Sequence, residues 1–142
     1  MRAILFLAAL YLCVFLGVAE GLALAGEAPH VPGTSVEMPY LIAPVTIDGK
    51  LVSYAYVSSR IIASTPSAAI DVRDRLPFIQ DADVRDVNAS SIADTADPPV
   101  VDRAALVKRL VADAKRVIGD GKVSAVQIIQ IQFARQRPSP RS

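Results

Sequence analysis

The sequence predicts a small α+β domain that follows an apolar N-terminal segment. Three observations predict this fold class. They are a strand–turn–strand pattern over residues 38–64, helical signals over 65–95, and an amphipathic pattern over 102–119 that leads into a last strand. The chain has 142 residues, which suits one small domain together with a targeting or anchoring segment.

Residues 1–25 are predicted to be a transmembrane anchor or a secretory signal peptide. Residues 3–19 are uncharged and apolar. A helix of that length spans about 25 Å, slightly less than the ~30 Å hydrocarbon core of a bilayer. A signal peptide is the alternative, because Ala23-Leu24-Ala25 fits the small-x-small pattern that precedes cleavage. The apolar run is longer than most signal cores, which favours a retained helix that holds the protein in the membrane through residues 3–25.

The distribution of charge predicts on which side of the membrane the domain lies. Neither Lys nor Arg occurs between Arg2 and Lys50, whereas several glutamates follow the apolar run. The positive-inside bias therefore places the N-terminus in the cytoplasm and the chain after residue 25 on the other side. Both alternatives for the first 25 residues export the domain, and cleavage near Ala25 releases it in soluble form.

Residues 26–37 are interpreted as a linker, since they combine proline, glycine and polar residues, with His30 as an exposed member. The segment 38–64 is interpreted as a β-hairpin. Asp48-Gly49 suits a tight turn, and the two prolines before it indicate an edge strand or a bulge.

The second strand of this hairpin is predicted to lie in the centre of a sheet. Both of its faces carry apolar or aromatic side chains, so one face is expected to pack on helices and a partner is expected to cover part of the other. Tyr54 and Tyr56 are therefore candidate interface residues. Ordinary packing within the sheet is the alternative interpretation of this pair.

The helical segment 65–95 is expected to begin at a cap formed by Thr65 or Ser67, with Pro66 in the first turn. Pro77 is expected to break or kink this helix, because proline removes a backbone hydrogen bond and its ring clashes with the preceding turn. A loop over residues 94–102 is expected to follow.

The acidic residues Asp81, Asp83 and Asp86 are predicted to lie on a solvated helix face, where they alternate with Arg85. A Ca²⁺ or Mg²⁺ site is the alternative, but it needs oxygens that converge in a loop with a glycine turn, and this segment has no glycine. The sequence therefore predicts no metal here.

The last helix is predicted to begin at an Asp102 cap and to end at Gly119. Its apolar stripe is formed by Val107, Leu110, Val111, Ala114, Val117 and Ile118. Its solvent face is formed by Lys108, Arg109, Asp113, Lys115 and Arg116. The last strand is predicted to present one apolar face, formed by Val123, Ala125, Ile129, Ile131 and Phe133. Gln130 and Gln132 lie on its other face and are candidate contact residues.

Composition argues against several functional classes. The net charge of +1 provides no basic surface for nucleic acid, and one cysteine cannot form an intramolecular disulfide. The single histidine excludes most histidine-based zinc sites, and no phosphate-binding glycine loop is present. We therefore expect no catalytic residues, no cofactor and no metal.

The chain resembles the FliL family of flagellar basal-body-associated proteins, most strongly over residues 104–136. The matching features are Ile118-Gly119 at the end of the helix, Val123 with Val126 at the start of the strand, and Phe133 with Gln136 at its end. Weaker support comes from the strand at residues 54–63 and the helix at residues 68–81.

This resemblance implies a small stomatin-like domain, an antiparallel sheet with helices, in the periplasm of a bacterium. It implies a single-pass inner-membrane protein that self-associates around the stator units of the flagellar motor, without catalysis or cofactor. The expected organisation is an anchor or signal at 1–25, a linker at 26–37, the α+β domain at 38–136 and a disordered tail at 137–142.

Two further hypotheses are distinguished from this one. The first is an exported periplasmic binding or scaffold module of the same fold that is unrelated to motility. The second is a periplasmic enzyme, which requires a pair of acids with raised pKa in a cleft. The acids to examine for such a pair are Asp71, Asp81, Asp94 and Asp113.

Overall fold

The computed structural model describes residues 31–93 and 100–134. Over these residues the chain is an α+β domain with a four-stranded antiparallel sheet and two helices, which confirms the α+β part of the predicted fold class. The strands are β1 (Ser35–Glu37), β2 (Leu41–Ile47), β3 (Lys50–Ala63) and β4 (Val123–Phe133). The helices are α1 (Pro66–Ala89) and α2 (Arg103–Ile118), and a short 3₁₀ turn, Asp120–Lys122, precedes β4.

The predicted hairpin is confirmed as β2 and β3. Asp48 and Gly49 connect the strands with φ angles of 51° and 73°, and a tight hairpin turn favours such positive values at both positions. Ile47 lies opposite Lys50 next to the turn, and Leu41 lies opposite Val57 at the far end of the pairing.

Strand β3 is the centre of the sheet, as predicted. Its residues 50–57 pair with β2 and its residues 60–62 with β1, while β4 pairs along residues 55–63. Since β4 overlaps both of the other pairings, β1 and β2 must follow one another along the opposite edge of β3. The Met38 amide donates to the Ser59 carbonyl at 3.0 Å and bridges the gap between them. Residues 35–37, interpreted above as the end of the linker, therefore extend the sheet.

The hydrophobic core lies between one face of the sheet and the two helices. Alternate residues of β2 and β3 point into it, as expected for a sheet that is covered on one side. The largest fully buried apolar side chains are Ile61, Ile79, Leu106, Val45, Val57, Val72 and Val87.

Of the two predicted caps, Thr65 begins helix α1, and its hydroxyl oxygen accepts a hydrogen bond from the Ala68 amide at 3.0 Å. The predicted break at Pro77 is wrong, since α1 runs without interruption to Ala89. Pro77 is exposed, and Val72 and Ile79 are buried on either side of it. The proline therefore removes one hydrogen bond on the solvent side while core packing holds both halves of the helix to the sheet.

Both predicted ends of helix α2 are confirmed. An Asp102 carboxylate oxygen accepts from the Ala105 amide at 2.9 Å, and Gly119 ends the helix with φ 103°. The predicted stripe is buried at Leu110, Ala114 and Ile118, with Leu106 as a further member.

Several predictions lie outside the described residues: the anchor or signal peptide, His30, Asp94 and the tail at 137–142. Within residues 31–93 and 100–134, neither helix is long and apolar enough to cross a bilayer.

Candidate functional site

The outer face of the sheet carries all four residues predicted to form an interface. Tyr56 lies opposite Gln132 on β4 and opposite Ile42 on β2, and Gln130 lies opposite Ser58. Residues that are directly opposite in an antiparallel pair share a face, and Tyr54 is two residues from Tyr56 on the same strand. The structure therefore brings the four side chains onto one surface, while their role in an interface stays a prediction.

This surface, which we call the tyrosine face, is open to solvent. Tyr54, Tyr56, Gln130, Gln132 and Ile42 are all exposed. The exposed part of this face is the part near the β2–β3 hairpin turn. At the other end of the sheet, where β1 pairs, Ile62 lies on the same face but is buried. Both helices pack on the opposite face of the sheet.

The backbone holds the tyrosine face in place. The Ala134 amide donates to the Tyr54 carbonyl at 2.8 Å, and the Ser53 hydroxyl donates to the Ala134 carbonyl at 3.2 Å. The end of β4 therefore stays paired with β3 next to the tyrosines. A surface built on such a ladder needs little ordering when it binds a partner.

The side chains on the two faces of β4 differ in part from the prediction. Its pairing with β3 shifts register between Ser58 and Ser59 and again between Ile62 and Ala63. Because each shift moves the alternation by one residue, the core face of β4 differs from the prediction at its centre. It carries Val123, Val126, Ile128, Ile131 and Phe133, while Ala125 and Ile129 do not belong to it. The two glutamines keep their predicted face.

A second feature, which the sequence interpretation missed, is a buried pair of carboxyl groups between the helices. Asp83 of α1 and Asp113 of α2 were both predicted to be solvated, and this prediction is wrong: their exposed fractions are 6% and 2%. The position of Asp83 in the sequence indicates its burial, since it lies four residues after Ile79 and four before Val87, both of which are buried.

Burial and neighbouring charges keep Asp83 neutral over a wide pH range. Burial, followed by the negative charges of Asp113 and Asp86, raises its pKa from 3.8 to about 8. Burial and Asp86 also raise the pKa of Asp113, although Arg116 and Arg109 oppose this shift. The Arg116 guanidinium lies 3.0 Å from one Asp113 carboxylate oxygen.

Each buried carboxyl has one oxygen that accepts no hydrogen bond from the described residues. These oxygens are Oδ1 of Asp83 and Oδ2 of Asp113. A buried carboxylate oxygen without a donor is costly, so the arrangement favours retention of a proton on the pair.

Next to this pair, Arg109 of α2 forms hydrogen bonds with the C-terminal end of α1. Its guanidinium donates to the Asp86 carboxylate at 2.6 Å and to the Asp86 carbonyl at 2.8 Å. It also donates to the carbonyls of Ser90 and Ser91, both at 3.1 Å. The last turn of α1 contains no basic residue, so Arg109 supplies from α2 the positive charge that a helix C-terminus favours. It was predicted to lie on the solvent face of α2, but it is half-buried here.

A groove of about 600 Å³ lies along the two helices. It is lined by Asp113 and by side chains of both signs, including Arg75, Asp81 and Arg116, with Phe78 as an apolar member.

Of the other acids that were to be examined, Asp71 pairs with Lys122 at 2.7 Å, and Asp81, which lines the groove, pairs with Arg85 at 2.5 Å. Among residues 31–93 and 100–134, no group of three or more His, Cys, Asp or Glu side chains is arranged to hold a metal ion.

Comparison with models of known protein families gives no match to this chain, and comparison with curated proteins gives none either.

Proposed function

We propose that this chain is a non-enzymatic interaction protein whose exported domain self-associates through the tyrosine face. The observation that carries the proposal is that a sheet covered by helices on one side leaves exposed aromatic and glutamine side chains together on the other. Exposed aromatic residues on a rigid scaffold are typical of binding surfaces, since they bury a large area at a small cost in side-chain entropy.

The size of the tyrosine face indicates weak association. The open end of the sheet comprises residues 50–58 of β3, 41–47 of β2 and 130–133 of β4. With strands about 4.8 Å apart and about 3.3 Å per residue, these segments cover roughly 300 Å². Stable complexes bury about 800 Å² on each partner, so this face alone supports a transient contact. Self-association through it is expected to depend on local concentration.

A membrane anchor supplies that concentration. Residues 3–25 are proposed to hold the domain at the periplasmic side of a bacterial inner membrane, where confinement makes weak contacts effective. With the resemblance to the FliL family, this gives the specific form of the proposal: a single-pass protein of the flagellar basal body that assembles beside the stator and supports the motor.

The buried acid pair fits this proposal better than catalysis. A general acid or base must come within hydrogen-bond reach of its substrate. Asp83 is not among the residues that line the groove, and the Asp113 side chain that lines it is only 2% exposed, so a substrate in the groove has little access to either carboxyl.

The test is the molar mass of the full chain in detergent, measured by sedimentation equilibrium over a range of concentrations. The wild type is expected to associate as concentration rises. The double variant Tyr54→Ser/Tyr56→Ser is expected to associate at least roughly tenfold more weakly, as for loss of aromatic anchors in other interfaces. Phe78→Ser is the matched control, because it removes an exposed aromatic residue from the helix side of the domain. Equal association of all three proteins would contradict the proposal.

Motility distinguishes the flagellar form from an exported binding or scaffold module of the same fold. Deletion of the gene is expected to reduce swimming while flagella are still assembled. Unchanged swimming contradicts the flagellar role and leaves the scaffold role. The intact mass of the protein from the membrane fraction is expected to be that of the full chain, and a soluble species that begins at Gly26 contradicts the anchor.

A further inference from the structure

We infer that Asp83 and Asp113 form a proton-dependent latch between α1 and α2. The helices stay closed while the pair retains a proton, and their contact loosens when both carboxyls are ionised. The geometry points to this because the two carboxyls lie on different helices, both are more than nine-tenths buried, and each has one oxygen without a hydrogen-bond partner in the described part of the chain. The latch is independent of the tyrosine face.

The charged groups that act on the two carboxyls balance only with a proton bound. The buried residues of the sheet face beneath α1 are apolar apart from Ser59, so these groups come from the helices. They are Asp86, Arg109 and Arg116, while Arg75, Asp81 and Arg85 line the groove beside Asp113. Arg109 pairs with Asp86 and Arg116 with Asp113, which leaves Asp83 without a cation among the described residues. Ionised Asp83 adds one uncompensated negative charge to a buried site.

The consequence of ionisation follows from where water can enter. Asp113 already lines the groove along the two helices, so this groove gives water a route from solvent to the pair. A buried carboxylate gains hydration when the interface opens, whereas a neutral carboxyl gains little. We therefore expect rising pH to loosen the α1–α2 contact and to leave the β3 core in place.

Native-state hydrogen exchange of the full chain in detergent tests the latch. Protection factors of amides 80–87 and 110–117 are compared at pH 6 and pH 8, with β3 amides 55–61 as the internal reference. In the wild type the helix amides are expected to be less protected than the β3 amides and to lose protection by up to roughly tenfold per pH unit. In Asp83→Asn they are expected to keep it. Asp81→Asn, an exposed acid on the same helix, is expected to behave as the wild type.

Constant helix protection in the wild type, or an equal loss in Asp83→Asn, overturns the inference. If Asp83→Asn does not fold, infrared spectroscopy of the wild type tests whether the pair retains the proton on which the inference depends. A carboxylic acid carbonyl band is expected to persist at pH 6.5, where exposed carboxyls are ionised, and to disappear as pH rises past 8. The absence of that band at pH 6.5 refutes a retained proton.

Discussion

Replacement of Arg109 by Met tests how the two helices are held together. The guanidinium makes one ion pair and three hydrogen bonds to backbone carbonyls at the C-terminal end of α1. Methionine keeps the apolar stem of the side chain and removes these contacts. The loss also leaves the half-buried Asp86 carboxylate without its cation next to two other carboxyls.

The expected cost follows from the number and exposure of these contacts. A hydrogen bond to a charged group contributes about 1.5–3 kcal/mol, and water replaces part of this where the group is accessible. The side chains of Arg109 and Asp86 are 22% and 29% exposed, so their contacts are only partly screened. We expect Arg109→Met to lower the free energy of unfolding by about 3 kcal/mol.

Arg85→Met is the matched control, since Arg85 also pairs with an aspartate. The side chains of that pair are 78% and 56% exposed, and such surface ion pairs contribute about 0.5 kcal/mol or less. Urea unfolding of the full chain in detergent near pH 7, followed by circular dichroism, gives both values. A loss below about 1 kcal/mol in Arg109→Met, or equal losses in the two variants, refutes the argument that Arg109 joins the helices.

Three other substitutions have expected effects on unfolding by urea. The folded Asp83 keeps its proton up to about pH 8, whereas the unfolded chain loses it near pH 4, so wild-type stability falls as pH rises between these values. Asp83→Asn is therefore expected to match the wild type near pH 4 and to exceed it by up to about 4 kcal/mol at pH 7; equal stability at pH 7 contradicts the raised pKa. Pro77→Ala restores a helical hydrogen bond at an exposed site and is expected to stabilise the protein by about 1–2 kcal/mol, whereas a loss indicates that the ring packs on something. Gly119→Ala places a side chain at φ 103° with open space around it, so it is expected to cost about 1–3 kcal/mol through backbone strain alone.

The parts of the fold that the sequence predicts well are those that depend on local chemistry. The Asp48-Gly49 turn requires positive φ angles, which these two residues tolerate, and β-forming residues flank it on both sides. The Thr65 and Asp102 caps follow from side-chain oxygens placed where helix amides need acceptors. Each of these features is determined within four or five residues of chain.

The parts that could not be predicted depend on contacts between distant segments. Pro77 stays within a helix because the buried residues on both sides of it pack on the sheet. The bulges in β4 depend on its register with β3, which no short window of sequence contains.

The burial of the two aspartates could not be predicted for the same reason. Composition assigns Asp83 and Asp113 to the surface, because isolated carboxyls are rarely buried. Only the crossing of α1 and α2 places the two together. The tyrosine face, in contrast, follows from strand alternation and the central position of β3, so its members could be named from sequence.

Photo-crosslinking in living cells tests self-association through the tyrosine face most directly. A benzophenone amino acid replaces Tyr56 in the full chain, and in a separate control it replaces Phe78 on the helix side. Irradiation is expected to give covalent homodimers from position 56 and few or none from position 78. Homodimers from both positions at equal yield, adducts of position 56 with other proteins alone, or no adducts at all would contradict self-association through this face.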